Sequence, residues 1–186
     1  MKVIIIRHGT VDYEWERAYS SGEFDRACDR YDKAPIIRMS YDIPFINAQQ
    51  IYVSALPRTQ DTAKEIFGNK DFICTELINE VPLGSSFNCK IKLPLWFWNI
   101  TGRLQWFLNI KRQVESRKET RSRVRKFVEL LNAAGCDSAV VTHGFYMHTL
   151  VKEMQKAGFR ITKSMRNYKN GDYVVAEKYV ARRWKF

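Results

Sequence analysis

Two of the three histidines in this chain lie in the same sequence context, one residue beyond the end of a short apolar run and directly before a glycine. Residues 3–10 read VIIIRHGT and residues 138–144 read SAVVTHG. An imidazole at the end of a strand can serve as a nucleophile or a base, and a neighbouring glycine lets backbone approach a ligand closely. One such histidine alone is more simply a structural residue. Because the arrangement occurs twice, we expect His8 and His143 to share one site.

Two arginines occupy comparable positions and suit an anionic ligand. Arg7 directly precedes His8, and Arg58 follows the apolar run Ile51–Ser54 at the start of a predicted helix over residues 57–67. Free N–H groups and the macrodipole attract anions to helix N-termini. The planar guanidinium also binds two phosphate oxygens at once. A surface ion pair is the alternative for Arg58, but the combination favours a phosphate site.

These residues fall into three motifs whose order and spacing resemble those of the histidine phosphatase superfamily, also called phosphoglycerate-mutase-like. The motifs are Arg7-His8-Gly9, then Ser54, Arg58, Thr62 and Ala63 within Ser-x-x-x-Arg-x-x-x-Thr-Ala, then Val141-Thr142-His143-Gly144. The resemblance covers residues 1 to about 160. It implies an α/β fold, a three-layer αβα sandwich with a mostly parallel central sheet. We expect residues 1–186 to form a single domain of this kind.

The resemblance also implies a role for each motif residue. His8 is expected to attack phosphorus and become a phosphohistidine, while Arg7, Arg58 and His143 donate hydrogen bonds to the phosphoryl oxygens. Because these groups are cationic or neutral donors, no metal and no cofactor are expected.

The neighbouring residues Thr10, Ser54 and Gly144 are predicted to bind the substrate. Many relatives also carry an asparagine soon after the first motif, and Asp12-Tyr13-Glu14 offers none here.

A general acid is expected among the carboxylates of residues 76–83. In the family a Glu or Asp of this region protonates the leaving group, and Glu80 within Asn79-Glu80-Val81-Pro82 is the best match. Glu76 is a lesser candidate and Asp12 a remote one. The alternative is that Glu80 is an exposed loop carboxylate.

Residues 93–110 form an unusual aromatic segment, LPLWFWNITGRLQWFLNI. The segment is near the length of a membrane span, but Asn99, Arg103 and other polar residues interrupt it, which argues against a transmembrane helix. We predict a helical, aromatic-rich lid insertion over residues 81–115 that walls the substrate pocket. Peripheral membrane contact through Trp96, Trp98 and Trp106 is the alternative.

Other patterns locate the remaining elements. Ser116-Arg117-Lys118-Glu119 is a capping-box signature, and Gly135 lies where a helix between them would end. A further helix is predicted over residues 146–157. Residues 71–75 are predicted to form an edge strand, and residues 171–175 and 178–180 to form closing β structure.

Composition narrows the class of protein. The 186 residues, 45% hydrophobic and 13% aromatic, suit one globular domain. The four cysteines are far apart in sequence, which argues against a disulfide framework or a zinc site and favours a reducing cytoplasm. No signal-peptide pattern begins the sequence.

The formal net charge of +11 has three explanations. It could steer an acidic substrate, bind nucleic acid, or simply be a solvated face. Arg117, Arg121 and Arg125 recur every four residues on one predicted helix, so the solvated face is favoured for most of the charge and nucleic acid is the less favoured partner.

The sequence therefore predicts a metal-independent phosphomonoester hydrolase that acts on a small phosphorylated substrate. A phosphoglycerate-mutase-type phosphoryl transferase is one alternative, although family mutases are usually longer. The other is a non-catalytic basic module that binds nucleic acid or anionic membrane. The oligomeric state does not follow from the sequence.

Overall fold

A computed structural model describes residues 1–44, 47–163 and 168–179 of the chain. The strands are β1 (Lys2–Arg7), β2 (Ala18–Tyr19), β3 (Gln50–Val53), β4 (Ile73–Cys74), β5 (Leu93–Pro94), β6 (Ser138–Thr142), β7 (Arg160–Lys163) and β8 (Tyr173–Glu177). The α-helices are α1 (Ser21–Lys33), α2 (Pro57–Phe67), α3 (Leu95–Phe107), α4 (Arg117–Ala134) and α5 (Gly144–Lys156). A short 3₁₀ helix spans Glu76–Ile78.

Six of the strands form one mostly parallel sheet in the order β4-β3-β6-β1-β8-β7. The first four of these strands run parallel to one another, and β8 and β7 join antiparallel. Buried, β-branched residues dominate β1 and β6, as expected for strands covered on both faces. The sequence prediction of a mostly parallel central sheet is confirmed.

Helices cover both faces of the sheet because alternate strand residues point to opposite sides. Val3 and Ile5 of β1 belong to a core cluster that includes apolar residues of α4 and α5. Ile4 and Ile6 belong to a second cluster that includes Ala63 of α2. The three-layer arrangement of helix, sheet and helix follows from this alternation, and the predicted sandwich is confirmed.

The segment predicted to be a lid, residues 81–115 and called the lid segment below, packs mainly against α1, while its Val81 and Trp106 join the core cluster that includes Val3 and Ile5. Its strand β5 pairs with β2, and α3 follows directly. Trp98 of α3 is fully buried and stacks on Phe24 of α1 with ring centroids 5.8 Å apart. Gly102 of α3 faces Leu83 and Gly84 so closely that a Cβ there would lie 2.6 Å from Leu83 Cδ1. The predicted helix in the aromatic segment is therefore confirmed.

Most other sequence-based elements agree with the structure. The capping box of α4 forms between Ser116 and Glu119, and Gly135 ends the helix in the left-handed conformation. Strand β4 lies at the sheet edge as predicted. The antiparallel strand β7 was missed, while β8 matches the predicted closing structure and Val180 lies outside the described residues. Across residues 1–44, 47–163 and 168–179, every helix is too short or too polar to span a bilayer.

Candidate active site

The two predicted histidines meet at the carboxyl ends of neighbouring parallel strands. In the pairing of β1 with β6, Arg7 lies opposite Thr142, so the next residue of each strand is a histidine. The His8 and His143 ring centroids are 5.0 Å apart. The shared sequence context therefore becomes a shared position at one edge of the sheet, where ligands bind in open α/β folds.

His8 is held in a tautomer suited to nucleophilic attack. Its side chain is 2% exposed, and Nδ1 lies 2.7 Å from the Gly9 carbonyl oxygen. A carbonyl only accepts, so Nδ1 carries the proton and Nε2 keeps a lone pair. Burial, aided by the positive charges of Arg58 and Arg7, lowers the pKa of His8 from 6.5 to about 3. The imidazole therefore stays neutral throughout the physiological pH range.

His143 uses both ring nitrogens within the protein. The Nε2 atom lies 2.8 Å from Ser54 Oγ, and Arg58 Nε donates to Nδ1 at 3.2 Å. Because Nδ1 accepts, the ring proton is on Nε2 and is donated to Ser54. Burial, followed by the effects of His8 and Arg58, holds the pKa of His143 well below 6.5. In this arrangement His143 orients Arg58 and Ser54.

Arg58 is fully buried at the start of α2, where the backbone N–H groups also face the site. Its Nη1 donates to the Asp32 carboxylate at 3.0 Å, and its Cζ lies 5.1 Å from the centre of the Tyr31 ring. Burial raises the pKa of Asp32 even though Arg58 acts in the opposite direction. Sequence analysis missed Asp32 and Tyr31 as site residues because they lie in a stretch without clear periodicity.

Arg7 packs against the glycine that follows His143. The Arg7 Nη1 group donates to the Tyr168 carbonyl oxygen, while the buried Nε has no hydrogen-bond partner among the described residues. A Cβ at Gly144 would lie only 2.9 Å from Arg7 Nε. Gly144 is thus required by the close approach of the guanidinium.

Glu80 lies at the N-terminus of α5. Its carboxylate accepts hydrogen bonds from the backbone N–H of Tyr146 at 3.0 Å and of Phe145 at 3.4 Å, and from its own neighbour Val81 at 2.9 Å. These hydrogen bonds fix the orientation of the carboxyl group at the start of the helix. The same side chain borders a cleft, which makes it available to a ligand.

The loop that carries Glu80 is fixed by an arginine that sequence analysis did not single out. Arg123 of α4 donates through Nη1 to the carbonyl oxygens of Leu77 at 3.0 Å and Asn79 at 2.8 Å. The Nε and Nη2 atoms of Arg123 donate to the two oxygens of the Glu115 carboxylate, at 3.1 and 2.9 Å. The helical periodicity around Arg123 gave no sign of this role.

A cleft of about 770 Å³ opens between α1, α3 and the Glu80 loop. Its charged lining includes Arg58 and Glu80 and also Arg103 of α3. Its apolar and aromatic lining includes Trp15, Tyr31, Leu56, Val81, Leu83 and Leu95. Neither His8 nor His143 lines this cleft, and Arg58, which contacts His143, is the residue that the cleft and the histidine pair share.

The predicted substrate-binding residues separate into two groups. Ser54 is buried and hydrogen-bonded to His143, and Gly144 is packed under Arg7, so both belong to the cluster. Thr10 does not join it: its side chain is exposed and its hydroxyl faces Met39 Sδ at 3.9 Å. Within the part of the chain that the structure describes, no group of three His, Cys, Asp or Glu side chains is arranged to hold a metal ion.

Solved structures with the same fold include several phosphatases. A proposed alpha-ribazole-5'-P phosphatase from Escherichia coli is 16% identical with a TM-score of 0.60, over 97% of this chain and 96% of that one. A mycobacterial glucosyl-3-phosphoglycerate phosphatase is 18% identical with a TM-score of 0.53, over 83% and 79%. A phosphoserine phosphatase variant from Entamoeba histolytica, bound to phosphoserine, is 15% identical with a TM-score of 0.54, over 94% and 89%.

No curated protein sequence matches the chain. The sequence profile of the histidine phosphatase superfamily (branch 1), in contrast, matches residues 3–184, nearly the whole chain. That match includes both histidine motifs and the Ser54–Ala63 motif on which the resemblance was based. The chain therefore belongs to the histidine phosphatase superfamily (branch 1), and it is an enzyme of the phosphatase or mutase type.

Proposed function

We propose that this enzyme is a metal-independent phosphomonoester hydrolase that works through a phosphohistidine on His8. The observation that carries the proposal is the state of the His8 ring. Its Nδ1 proton is fixed on the Gly9 carbonyl at 2.7 Å, and its low pKa keeps the other nitrogen unprotonated. A neutral imidazole with a fixed tautomer is the form that attacks phosphorus.

The charge that develops on the phosphoryl group would be met by the two arginines. Arg7 has a buried Nε with no protein partner among the described residues, and Arg58 lies at the helix N-terminus. Such preoriented donors stabilise a transition state in which negative charge spreads over the phosphoryl oxygens. His143, held by Ser54, would orient Arg58 and could donate to phosphate only after rearrangement.

Substrate binding is expected to displace Asp32 from Arg58. A phosphoryl group and the Asp32 carboxylate both seek the same guanidinium edge, and like charges exclude one another. Burial raises the pKa of Asp32, so its charged form is less favourable here than in water.

Glu80 is the proposed general acid and base. It would protonate the leaving alcohol, then accept a proton from the water that hydrolyses the phosphohistidine. Its place on the cleft wall, held by backbone N–H groups of α5, supports this role. A mutase would instead return the phosphoryl group to a second hydroxyl of the substrate.

The proposed substrate is a small phosphomonoester with an apolar or ring-containing part. The aromatic and aliphatic side chains of the cleft, such as Trp15 and Leu95, support this class of substrate. Charged side chains such as Asp29 and Arg103 lie between them, so the apolar part of the substrate would contact only part of the wall. A cytoplasmic location, expected from the separated cysteines, is part of the same proposal.

The experiment is release of inorganic phosphate from p-nitrophenyl phosphate in the presence of EDTA. Wild-type protein should be active, and His8→Ala should lose turnover by a factor on the order of 10⁴ or more because the nucleophile is absent. His148→Ala is the matched control, since His148 is the third histidine and lies on the exposed side of α5. Activity retained in His8→Ala, or abolished by EDTA in the wild type, would overturn the proposal.

A further inference from the structure

Helix α3 carries large apolar residues on three faces, together with polar residues such as Asn99 and Arg103. One face is buried through Trp98 and Trp106, and a second lines the cleft through Leu95. The third face carries Trp96, Ile100 and Leu104, four residues apart and therefore aligned on the helix surface. We call these three residues the outer ridge.

The outer ridge is exposed to solvent. The exposed fractions are 62% for Trp96, 60% for Ile100 and 53% for Leu104. Further exposed apolar residues follow beyond the end of the ridge, at Leu108 and Val114. A contiguous apolar patch on a protein surface marks an interaction site. Among the residues that the structure describes, none covers the outer ridge.

The segment that carries the outer ridge contains basic residues but no acidic ones. No acidic residue occurs in the sequence between Glu80 and Glu115. Lys90 and Lys92 precede α3, and Lys111 and Arg112 follow it, so basic side chains flank both ends of the ridge. One of them, Lys92, is partly neutralised by Glu23 at 3.3 Å, while Lys90 and Lys111 are exposed.

A second copy of the chain does not suit this surface. Two-fold symmetric contact would bring each basic flank towards an identical patch without acidic residues of its own. Such like-charge juxtaposition opposes association. A partner that combines an apolar interior with a negative surface would satisfy both the ridge and its flanks.

We propose that the outer ridge docks on an anionic lipid bilayer. Trp96, Ile100 and Leu104 enter the boundary between headgroups and acyl chains, and the lysines stay at headgroup level, where their long stems let the charge reach the phosphates. The docked protein lies on the bilayer without crossing it. Because Leu95 and Arg103 of the same helix line the cleft, docking brings the cleft close to the lipid surface.

The test is cosedimentation of the whole protein with vesicles. Vesicles of phosphatidylcholine mixed with phosphatidylglycerol should bind the protein, and vesicles of phosphatidylcholine alone should bind it weakly, with binding reduced by added salt. Leu104→Ser should weaken binding about tenfold because one large apolar side chain no longer enters the bilayer. Lys111→Gln should weaken it about fivefold.

Two matched controls separate this effect from general surface changes. Ile37→Ser removes an apolar side chain of similar exposure, 49%, that follows α1 instead of lying on α3. Lys70→Gln removes an exposed lysine that follows α2. Neither control should change vesicle binding, and circular dichroism should show that every variant is folded.

Three outcomes would overturn the docking proposal. They are failure to bind the anionic vesicles, equal binding by Leu104→Ser and Ile37→Ser, and a dimer in size-exclusion chromatography that Leu104→Ser dissociates, which would assign the ridge to a second copy. The measurement involves no reaction, so failure here leaves the hydrolase proposal intact. Likewise, failure of the hydrolase experiment would not affect the docking proposal, because vesicle binding is measured without turnover.

Discussion

Two regions of the molecule, the floor of the site and the lid segment, are held together by different interactions. The floor consists of His8, His143 and Arg58, buried polar groups that are held by directional hydrogen bonds. In the lid segment, Trp98 and Gly102 fix α3 by contact of apolar surfaces, and a whole face of the helix stays in water. Buried polar groups are costly unless each one is paired, so the floor has little freedom to rearrange.

Because of this difference, we expect substitutions in the floor to affect mainly activity and substitutions in the lid segment to affect mainly stability. A small displacement in the floor changes the direction of a hydrogen bond and should cost activity before stability. A similar displacement in the lid segment loses apolar contact and should cost stability before chemistry. Changes confined to one region therefore test whether the two are as separate as the structure indicates.

Among the variants that compare the two regions, Glu80→Gln, at the edge between them, should have the largest effect. The amide cannot give a proton to the leaving oxygen, so kcat/KM for an alkyl phosphate should fall about 10²–10⁴-fold. The kcat/KM for p-nitrophenyl phosphate should fall much less, because its leaving group needs little protonation and kcat/KM does not include the later hydrolysis of the phosphohistidine. The kcat/KM of the variant for both esters is the measurement, with Glu76→Gln as the control. Equal losses on both esters would move the acid role to another residue, with Asp32 the next to test.

A pair of glycines compares the two regions directly. In the floor, Gly144→Ala places a methyl group 2.9 Å from Arg7 Nε, which must shift the guanidinium. We expect kcat/KM to fall by about ten- to a hundredfold, since a small misplacement of a charged group weakens transition-state contacts. The melting temperature should change little, because alanine favours the first turn of α5.

In the lid segment, Gly102→Ala places a methyl group 2.6 Å from Leu83 Cδ1 and 3.1 Å from the Gly84 carbonyl oxygen. Helix α3 must move away, which should lower the free energy of unfolding by about 1–3 kcal/mol. Activity of the folded fraction should fall less than in Gly144→Ala. If Gly144→Ala were unstable and Gly102→Ala were stable but inactive, the floor would not control mainly activity, nor the lid segment mainly stability.

The last prediction concerns the pH dependence that the buried floor imposes on stability. The pKa of His8 is about 3 in the folded protein and 6.5 when unperturbed, so between these values the unfolded chain binds more protons. The contribution of His8 to stability should therefore be fully present above pH 6.5 and be lost as pH falls towards 3. The free energy of unfolding, measured with denaturant at several pH values, should rise less steeply with pH in His8→Ala than in the wild type, by up to about 1.4 kcal/mol per pH unit. An unchanged slope would mean that His8 is not buried as described.

The floor could be predicted from the sequence because its residues follow strands. Once β1, β3 and β6 are recognised as parallel, His8, His143 and the residues after Ser54 must lie at the same edge of the sheet. The lid helix could likewise be predicted as a helical, aromatic segment. Position in the sequence alone was misleading for Thr10, which is only two residues from His8 but whose hydroxyl lies near Met39 and outside the floor.

The contacts that complete the site could not be predicted in this way. Asp32 reaches Arg58 from α1, and Arg123 reaches the Glu80 loop from α4, over separations of 26 and 44 residues in the chain. Neither residue belongs to a motif, and each lies on a helix whose surface charges look alike in the sequence. Only the packing of α1 and α4 beside the site distinguishes these two side chains from their solvated neighbours.

Trapping the covalent intermediate is the most direct test of phosphoryl transfer to His8. Enzyme mixed with a phosphomonoester should be quenched in base, where phosphohistidine survives, and analysed by peptide mass spectrometry. We expect one phosphoryl group on the wild-type peptide that contains His8 and none in His8→Ala. Glu80→Gln should accumulate more of the phosphorylated peptide, because the hydrolysis of the intermediate is slowed. A phosphoryl group on another residue, or turnover by wild type with no phosphorylated peptide, would contradict it.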